Sequence, residues 1–229
     1  MKRKKQSQLS YLKQLRDKMK LLVVDLLAER KAFGKEGVRE IISHFDNPDV
    51  YLWSPHTDER IDYGFGKVVD NPIDADFVVI TGSRRNVSQW EDWMNDVADL
   101  IRKVEVPLIG ICFGHQIIAA SLGGKVIRAE TQSQMVSPVY YQDGREINAL
   151  FTHQDHVINA GEMEVIANSE HCAIVACKHP TRNIRTVQYH PEATAEVIAK
   201  AIEVGDMTKK EAEVFDMSNQ LISLKDALL

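Results

Sequence analysis

The chain has 229 residues, of which 44% are hydrophobic and 27% charged, and a formal net charge of −5. That length suits one generous α/β domain or two small ones, and the acidic balance gives no general reason to expect nucleic-acid binding. Three cysteines with no Cys-x-x-Cys pair exclude a disulfide framework, and no apolar run reaches the length of a membrane span.

Residues 1–19 form a basic extension, in which Lys2, Arg3, Lys4, Lys5, Lys13, Arg16 and Lys18 meet only Asp17. Leu9, Leu12 and Leu15 lie at helical spacing, so the segment reads either as a solvated, partly helical extension or as a nucleic-acid or partner-docking arm. It lacks the apolar region of a signal peptide, and a soluble cytoplasmic protein is the expectation. Residues 20–25 are a short apolar run and the first strand expected of the core. A helix over about residues 37–44 follows, then a strand at Val50-Tyr51-Leu52-Trp53 and a polar loop over residues 58–70. Residues 76–83 read as a strand ending in a tight turn. A helix over residues 90–103 puts Trp93, Val97, Leu100 and Ile101 on one face at the 3.6 period. The next strand, residues 106–111, runs into a glycine-rich turn.

Beyond that turn the texture changes. Residues 122–127 read as a helix stop followed by a strand, and short β-like runs at residues 138–141, 164–167, 173–176 and 185–189 are then split by turns, as in antiparallel hairpins. A closing helix is expected over residues 193–204, with Gly205 as its C-cap. Strands that are nearly continuous apolar runs, alternating with helices, predict one doubly wound, mostly parallel α/β sheet with helices on both faces and an antiparallel edge. The domain spans residues 20–205, and residues 206–229 are a helical tail that packs on it or meets a partner.

The stretch Gly110-Ile111-Cys112-Phe113-Gly114-His115-Gln116 carries the chemistry. Gly-x-Cys-x-Gly between strand and helix is a nucleophile elbow with cysteine as the nucleophile. Glycines relieve the crowding of so sharp a turn. The helix N-terminus favours negative charge on the sulfur. Taken alone, the heptapeptide also fits a glycine-rich turn around an inert cysteine. A nucleophilic cysteine needs a base, and the base needs an orienting group. Val187-Gln188-Tyr189-His190-Pro191-Glu192 supplies both, with Glu192 able to hold the His190 imidazole in one tautomer. Pro191 keeps His190 extended. Cys112 and His190 both fall at carboxyl ends of expected strands, where reactive groups gather in such sheets. His44, His56, His171 and His179 lack the spacing of a metal site, and neither metal nor cofactor is expected.

These motifs closely resemble the class I (triad) glutamine amidotransferase family over about residues 20–204. Val79-Ile80-Thr81-Gly82-Ser83 resembles the family's oxyanion loop, and Leu122-Gly123-Gly124-Lys125-Val126 the segment after the elbow helix. Thr152-His153-Gln154-Asp155-His156-Val157 resembles a segment of the branch holding the GMP synthetase glutaminase domain and stand-alone γ-glutamyl peptidases. The resemblance implies that Cys112 attacks a γ-carboxamide to form a γ-glutamyl thioester, with His190 as base and acid and Glu192 as its stabiliser. It also implies oxyanion donors at the Phe113 amide and the Gly82-Ser83 turn. Gln116 and the backbone of His153-Gln154 are implied to hold the substrate's amino-acid end.

Two departures stand out. The oxyanion turn is Thr81-Gly82-Ser83-Arg84 rather than the Gly-Gly-Pro of many relatives, and Arg84 and Arg85 beyond it either contact a substrate carboxylate or lie in solvent. Residues 128–141 lack the Glu-Tyr-Gly texture of biosynthetic members. Three functions therefore compete. The leading one is a glutaminase releasing ammonia for a separate ATP-dependent synthetase subunit, since no ATP-binding motif is seen in the sequence. The rivals are a stand-alone γ-glutamyl peptidase and a catalytically silent binding protein on the same fold.

Overall fold

In β1 (Lys20–Val24) the side chains alternate between two separate cores. Leu22 and Val24 join one apolar cluster, and Leu21 and Val23 the other; all four are fully buried. Successive strand side chains point to opposite faces, so a strand apolar at every position must be covered on both. In this computed structural model, which describes residues 18–28, 31–213 and 222–228, helices provide the cover. The basic extension of residues 1–19 lies outside the described residues except for Lys18 and Met19.

The parallel part of the sheet comprises β1, β2 (Asp49–Trp53), β3 (Lys67–Val69), β4 (Phe77–Ile80), β5 (Leu108–Ile111) and β10 (Ile184–Val187). An antiparallel part continues from β10 through β9 (Cys172–Lys178), β8 (Glu164–Ser169), β6 (Lys125–Tyr141) and β7 (Glu146–Asn159). The spatial order is β3-β2-β1-β4-β5-β10-β9-β8-β6-β7. On one face α2 (Trp93–Lys103) and α3 (Phe113–Ser121) bury Met94, Val97, Ile101, Ile117 and Ile118. On the other, α1 (Lys31–Ser43) contributes Val38 and Ile41, and the short α6 (Leu224–Leu228) buries Leu224 and Leu228. The expected mostly parallel α/β sheet with an antiparallel edge is what forms.

Several boundaries differ from the sequence expectation. The helix expected to begin at about Gly37 begins at Lys31, so Gly34 and Gly37 lie inside it. Gly34 is required there by close approach, because a β-carbon would come within 2.5 Å of the Leu27 carbonyl oxygen. Residues 58–70 are not wholly a loop, since β3 pairs with β2 at the sheet edge. The largest difference is β6 and β7. The short runs expected over residues 122–141 are one 17-residue strand paired with a 14-residue partner. Much of β6 is exposed, so the alternation that marks a half-buried strand is missing from its sequence. The closing helix is α4 (Ala195–Glu203), N-capped by Thr194, whose side chain accepts from the Val197 amide. In the tail, α5 (Lys209–Ala212) starts with a capping box between Thr208 and Glu211.

Candidate active site

Cys112 sits between β5 and α3 with φ 52° and ψ −100°. A side chain costs energy in that left-handed range, so surrounding contacts must hold it there. The Cys112 amide donates to the Val187 carbonyl at 2.8 Å, tying the elbow to β10. Gly110 and Gly114 permit the turn. A β-carbon on Gly110 would lie 2.7 Å from the Gly114 carbonyl carbon, and one on Gly114 would strike the Ile80 carbonyl oxygen of β4. The amide of Phe113, in the first turn of α3, has no partner within the helix, as for any first-turn donor.

The histidine reaches the cysteine from β10. Past Val187 the chain is pinned by Gln188 N to Val175 O at 2.7 Å and by His190 N to Leu150 O at 2.9 Å. The His190 Nδ1 is 2.8 Å from Glu192 Oε1, and both side chains are buried. The His190 Nε2 is buried without a hydrogen bond. Burial acts to lower the His190 pKa, but the negative charges at Cys112 and Glu192 outweigh it and raise it well above the usual histidine value. Helix α1 closes over this pair, with the Gly37 β-position 3.8 Å from Glu192 Cγ.

The turn after β4 stands against both groups. A β-carbon on Gly82 would lie 2.9 Å from His190 Cε1 and 3.6 Å from Cys112 Cβ. The Thr81 hydroxyl anchors the turn, accepting from the Leu26 amide at 2.9 Å and donating to the Gly82 carbonyl at 3.0 Å. Farther along, the buried Asp155 carboxylate accepts from the Ser88 amide at 2.7 Å and the Ser88 hydroxyl at 2.8 Å. Asp155 thereby joins the loop after Gly82 to β7.

Gln116, Ser83, Phe113, His153 and Gln154 line one cleft of about 460 Å³ with Cys112 and His190. The Gln116 amide group donates to Asp155 O at 2.9 Å and to Gln188 Oε1 at 3.1 Å. His153 Nδ1 lies 3.0 Å from Asp155 O, and burial, helped by neighbouring His156, pushes its pKa down to about 3. The Gln154 side chain accepts from Arg128 at 2.6 Å and donates to Ala129 O at 3.0 Å. Gly82 is not among the residues lining this cleft, although it borders Cys112 and His190.

Sequence reasoning assigned no separate role to Gln188 and Thr152. Gln188 Nε2 donates to Cys112 Sγ at 3.7 Å, and the Cys112 thiol lies 3.8 Å from the Thr152 carbonyl oxygen. The available signal was a glutamine two residues before His190 within an otherwise apolar strand end. Leu27, Phe33 and Met207, which form an apolar wall of the cleft, had no local signal. Burial pushes the thiols of Cys172 and Cys177 up to about 11 and about 12, so neither competes as a nucleophile. Among the described residues no group of three or more His, Cys, Asp and Glu is arranged to hold a metal ion. Nor is any helix long and apolar enough to cross a membrane.

The family model for glutamine amidotransferase class-I matches residues 49–203. The glutamine-hydrolyzing GMP synthase subunit of Methanocaldococcus jannaschii is 39% identical over 103 residues, covering 41% of this chain and 55% of that protein. Its counterpart from Methanosphaera stadtmanae is 36% identical over 103 residues, covering 41% and 55%. The chain thus spans just over half the length of these curated relatives. A glutamine amidotransferase from Thermotoga maritima superposes with a TM-score of 0.67 at 18% identity, over 86% of this chain and 85% of that one. One from Methylobacillus flagellatus gives 0.62 at 18% identity, over 92% and 85%. At such identities the structural likeness speaks for the fold, and the family match speaks for descent: the chain belongs to the class-I glutamine amidotransferase family.

Proposed function

We propose that this protein hydrolyses the γ-carboxamide of glutamine through a thioester on Cys112 and delivers the ammonia to a separate synthetase subunit. The observation that carries this reading is the strained Cys112 elbow set against the buried His190–Glu192 pair, whose imidazolium is favoured by both neighbouring negative charges.

In this mechanism the Cys112 thiolate attacks the γ-carbonyl carbon, and negative charge builds on the carbonyl oxygen. Donors for that oxyanion are the Phe113 amide and an amide of the Gly82-Ser83 turn; losing one such donor typically costs about 3 kcal/mol in the transition state. His190 gives its proton to the departing nitrogen, the C–N bond breaks, and ammonia leaves. Water, deprotonated by His190, then attacks the thioester carbon, the C–S bond breaks, and glutamate is released. Glu192 holds the imidazole in register and balances its positive charge throughout. Gln116 and the His153-Gln154 backbone hold the amino-acid end of the substrate.

The relatives support a separate synthetase, since they are named as glutamine-hydrolyzing subunits of GMP synthase. The test is ammonia release from glutamine by the purified chain, alone and with cell extract, for wild type and Cys112→Ala. Turnover that needs Cys112 and rises with extract is the expected result. No turnover in either condition, or turnover that survives Cys112→Ala, overturns the reading.

A further inference from the structure

The strand end that carries His190 also holds a carboxamide with no part in the His190–Glu192 pair. Gln188 is fully buried and is not among the residues lining the cleft. Val187 and Tyr189 on either side of it pack into one core cluster. A carboxamide in such a place is costly unless both of its ends find partners, and here both do. Gln188 Oε1 accepts from Gln116 Nε2 at 3.1 Å, and Gln188 Nε2 donates to Cys112 Sγ at 3.7 Å.

Which end of a carboxamide is oxygen and which nitrogen follows from the partners each can serve. For Gln188 that constraint starts away from the sulfur. Gln116 Nε2 also donates to the Asp155 carbonyl at 2.9 Å. A backbone carbonyl only accepts, so the Gln116 nitrogen must face it, and the same nitrogen then requires an oxygen from Gln188. The Gln188 N–H group is thereby turned toward Cys112, whatever the charge on the sulfur. Gln116 itself stands one helical turn beyond the nucleophile, where its backbone amide donates to the Cys112 carbonyl at 3.1 Å. Both hydrogens of its Nε2 are used, which leaves Oε1 as the end for a ligand in the cleft that Gln116 lines.

The sulfur has a second polar contact of opposite character. The Thr152 carbonyl oxygen, 3.8 Å away, accepts from a thiol and repels a thiolate. The Gln188 N–H does the reverse, since its bond to sulfur becomes charge-assisted once the proton is gone. Proton transfer from Cys112 to His190 therefore exchanges the first contact for the second.

We infer that Gln188 holds the Cys112 sulfur as the thiolate and, through the same carboxamide, locks Gln116 in one orientation. One buried side chain thus ties the nucleophile to a group that lines the cleft. The inference rests on Cys112 being the nucleophile, as proposed above, and adds a residue that acts on it before substrate arrives.

Iodoacetamide alkylation of Cys112 on the purified full chain, without substrate, tests this, because the thiolate is the reacting form. Any signal from Cys172 and Cys177 is subtracted with Cys112→Ala. Gln188→Met fills a similar space without a donor. With a thermal melt to show that the fold is kept, the acid limb of its rate profile is expected about one pH unit above that of the wild type. That is the shift for a lost hydrogen bond to a charged group. Gln116→Met is expected to move the limb the same way by a smaller step, although iodoacetamide has no amino-acid end for Gln116 to bind. The titratable groups around the elbow are His190 with Glu192, His153 from β7 and His115 from α3. The cleft adds Arg84, Arg85, Arg128, Asp155 and Glu211. All of these are kept in both variants, so their effect on the limb is common to the series. Should Gln188→Met fail to fold, Gln188→Asn, whose amide stops one methylene short of the sulfur, is read in its place. An unchanged limb at position 188 overturns the inference, and an unchanged limb in Gln116→Met overturns the locking of Gln116. Glutamine turnover is measured alongside, with and without cell extract. Its absence from the wild type overturns the glutaminase reading, while the alkylation profiles still decide the role of Gln188.

Discussion

Gly82 and His190 are in contact across the active site: a β-carbon at position 82 would stand 2.9 Å from Cε1 of the imidazole. The ring can yield only by straining its bonds, because its Nδ1 lies 2.8 Å from Glu192 Oε1 and the His190 amide donates to the Leu150 carbonyl at 2.9 Å. Gly82→Ala is therefore expected to shift the imidazole away from the sulfur. A displacement of that kind costs about a hundredfold in rate. Glutaminase kinetics beside a thermal melt check this, with kcat/KM falling while the fold survives. Full activity in the variant would contradict the geometry.

Glu192→Gln tests the origin of the high His190 pKa. Burial lowers that pKa while the Cys112 and Glu192 charges raise it above normal. Removing one of the two charges must bring it down. The alkaline limb of the kcat/KM profile should move to lower pH, and kcat should fall by up to about 10⁴-fold, as when a triad acid is neutralised. The stability sign follows. A raised folded pKa gives stability that is complete below the unfolded value and lost as pH climbs through the folded one, so in the variant this alkaline loss should be smaller and end at lower pH. Histidine NMR titration reads the same shift directly.

Asp155 links the loop after Gly82 to β7 through both the amide and hydroxyl of Ser88. Asp155→Ala removes the acceptor of two hydrogen bonds to the charged carboxylate, and a loss of roughly 2 kcal/mol is expected in urea unfolding. Ser88→Ala keeps the amide bond and should cost about 1 kcal/mol. Equal losses in the two variants would show that the carboxylate does not anchor the loop.

His115 lies beneath the elbow, fully buried, with Nδ1 2.8 Å from the Thr186 hydroxyl. Burial pushes its pKa down to about 4. Because the unfolded chain titrates near 6.5, it binds more protons than the folded state between these values, and stability falls as pH drops through that window. His153 acts in the same direction, whereas Asp25, raised by burial to about 6, partly opposes it. Denaturant midpoints at pH 7 and pH 5 should reveal a His115 share on the order of 2 kcal/mol that disappears in His115→Gln. A pH dependence unchanged by that substitution would sink the assignment.

The sheet centre and the buried His190–Glu192 pair were readable in the sequence because both are local. Leu21 to Val24 are apolar at every position since both faces are covered, and His190 and Glu192 lie two residues apart in one segment. The β6–β7 hairpin was not readable. A strand exposed on much of its length has no burial to select an alternating pattern, and the run from Arg128 to Gln134 is polar almost throughout. Helix α1 began earlier than expected because glycine weakens the helix signal, although Gly34 is required there by its close approach to the Leu27 carbonyl. The apolar wall escaped notice for another reason. It is closed by contacts such as Phe33 N to Asp206 Oδ2, at 2.8 Å but 173 residues apart.

The elbow leaves Cys112 almost no freedom of its own. Its amide is spent on Val187, its torsion lies in a range few residues tolerate, and the glycines on either side touch Ile118, Gly114 and Ile80. The sulfur is thus a fixed landmark with Phe113 and Gln116 on its own helix, and the other groups around it come from separate stretches of chain: the 82–88 loop, the 150–155 strand and the 188–192 crossing. Any control over reactivity must act by moving those three segments toward or away from a stationary atom. A partner that grips them can switch the chemistry without touching the nucleophile.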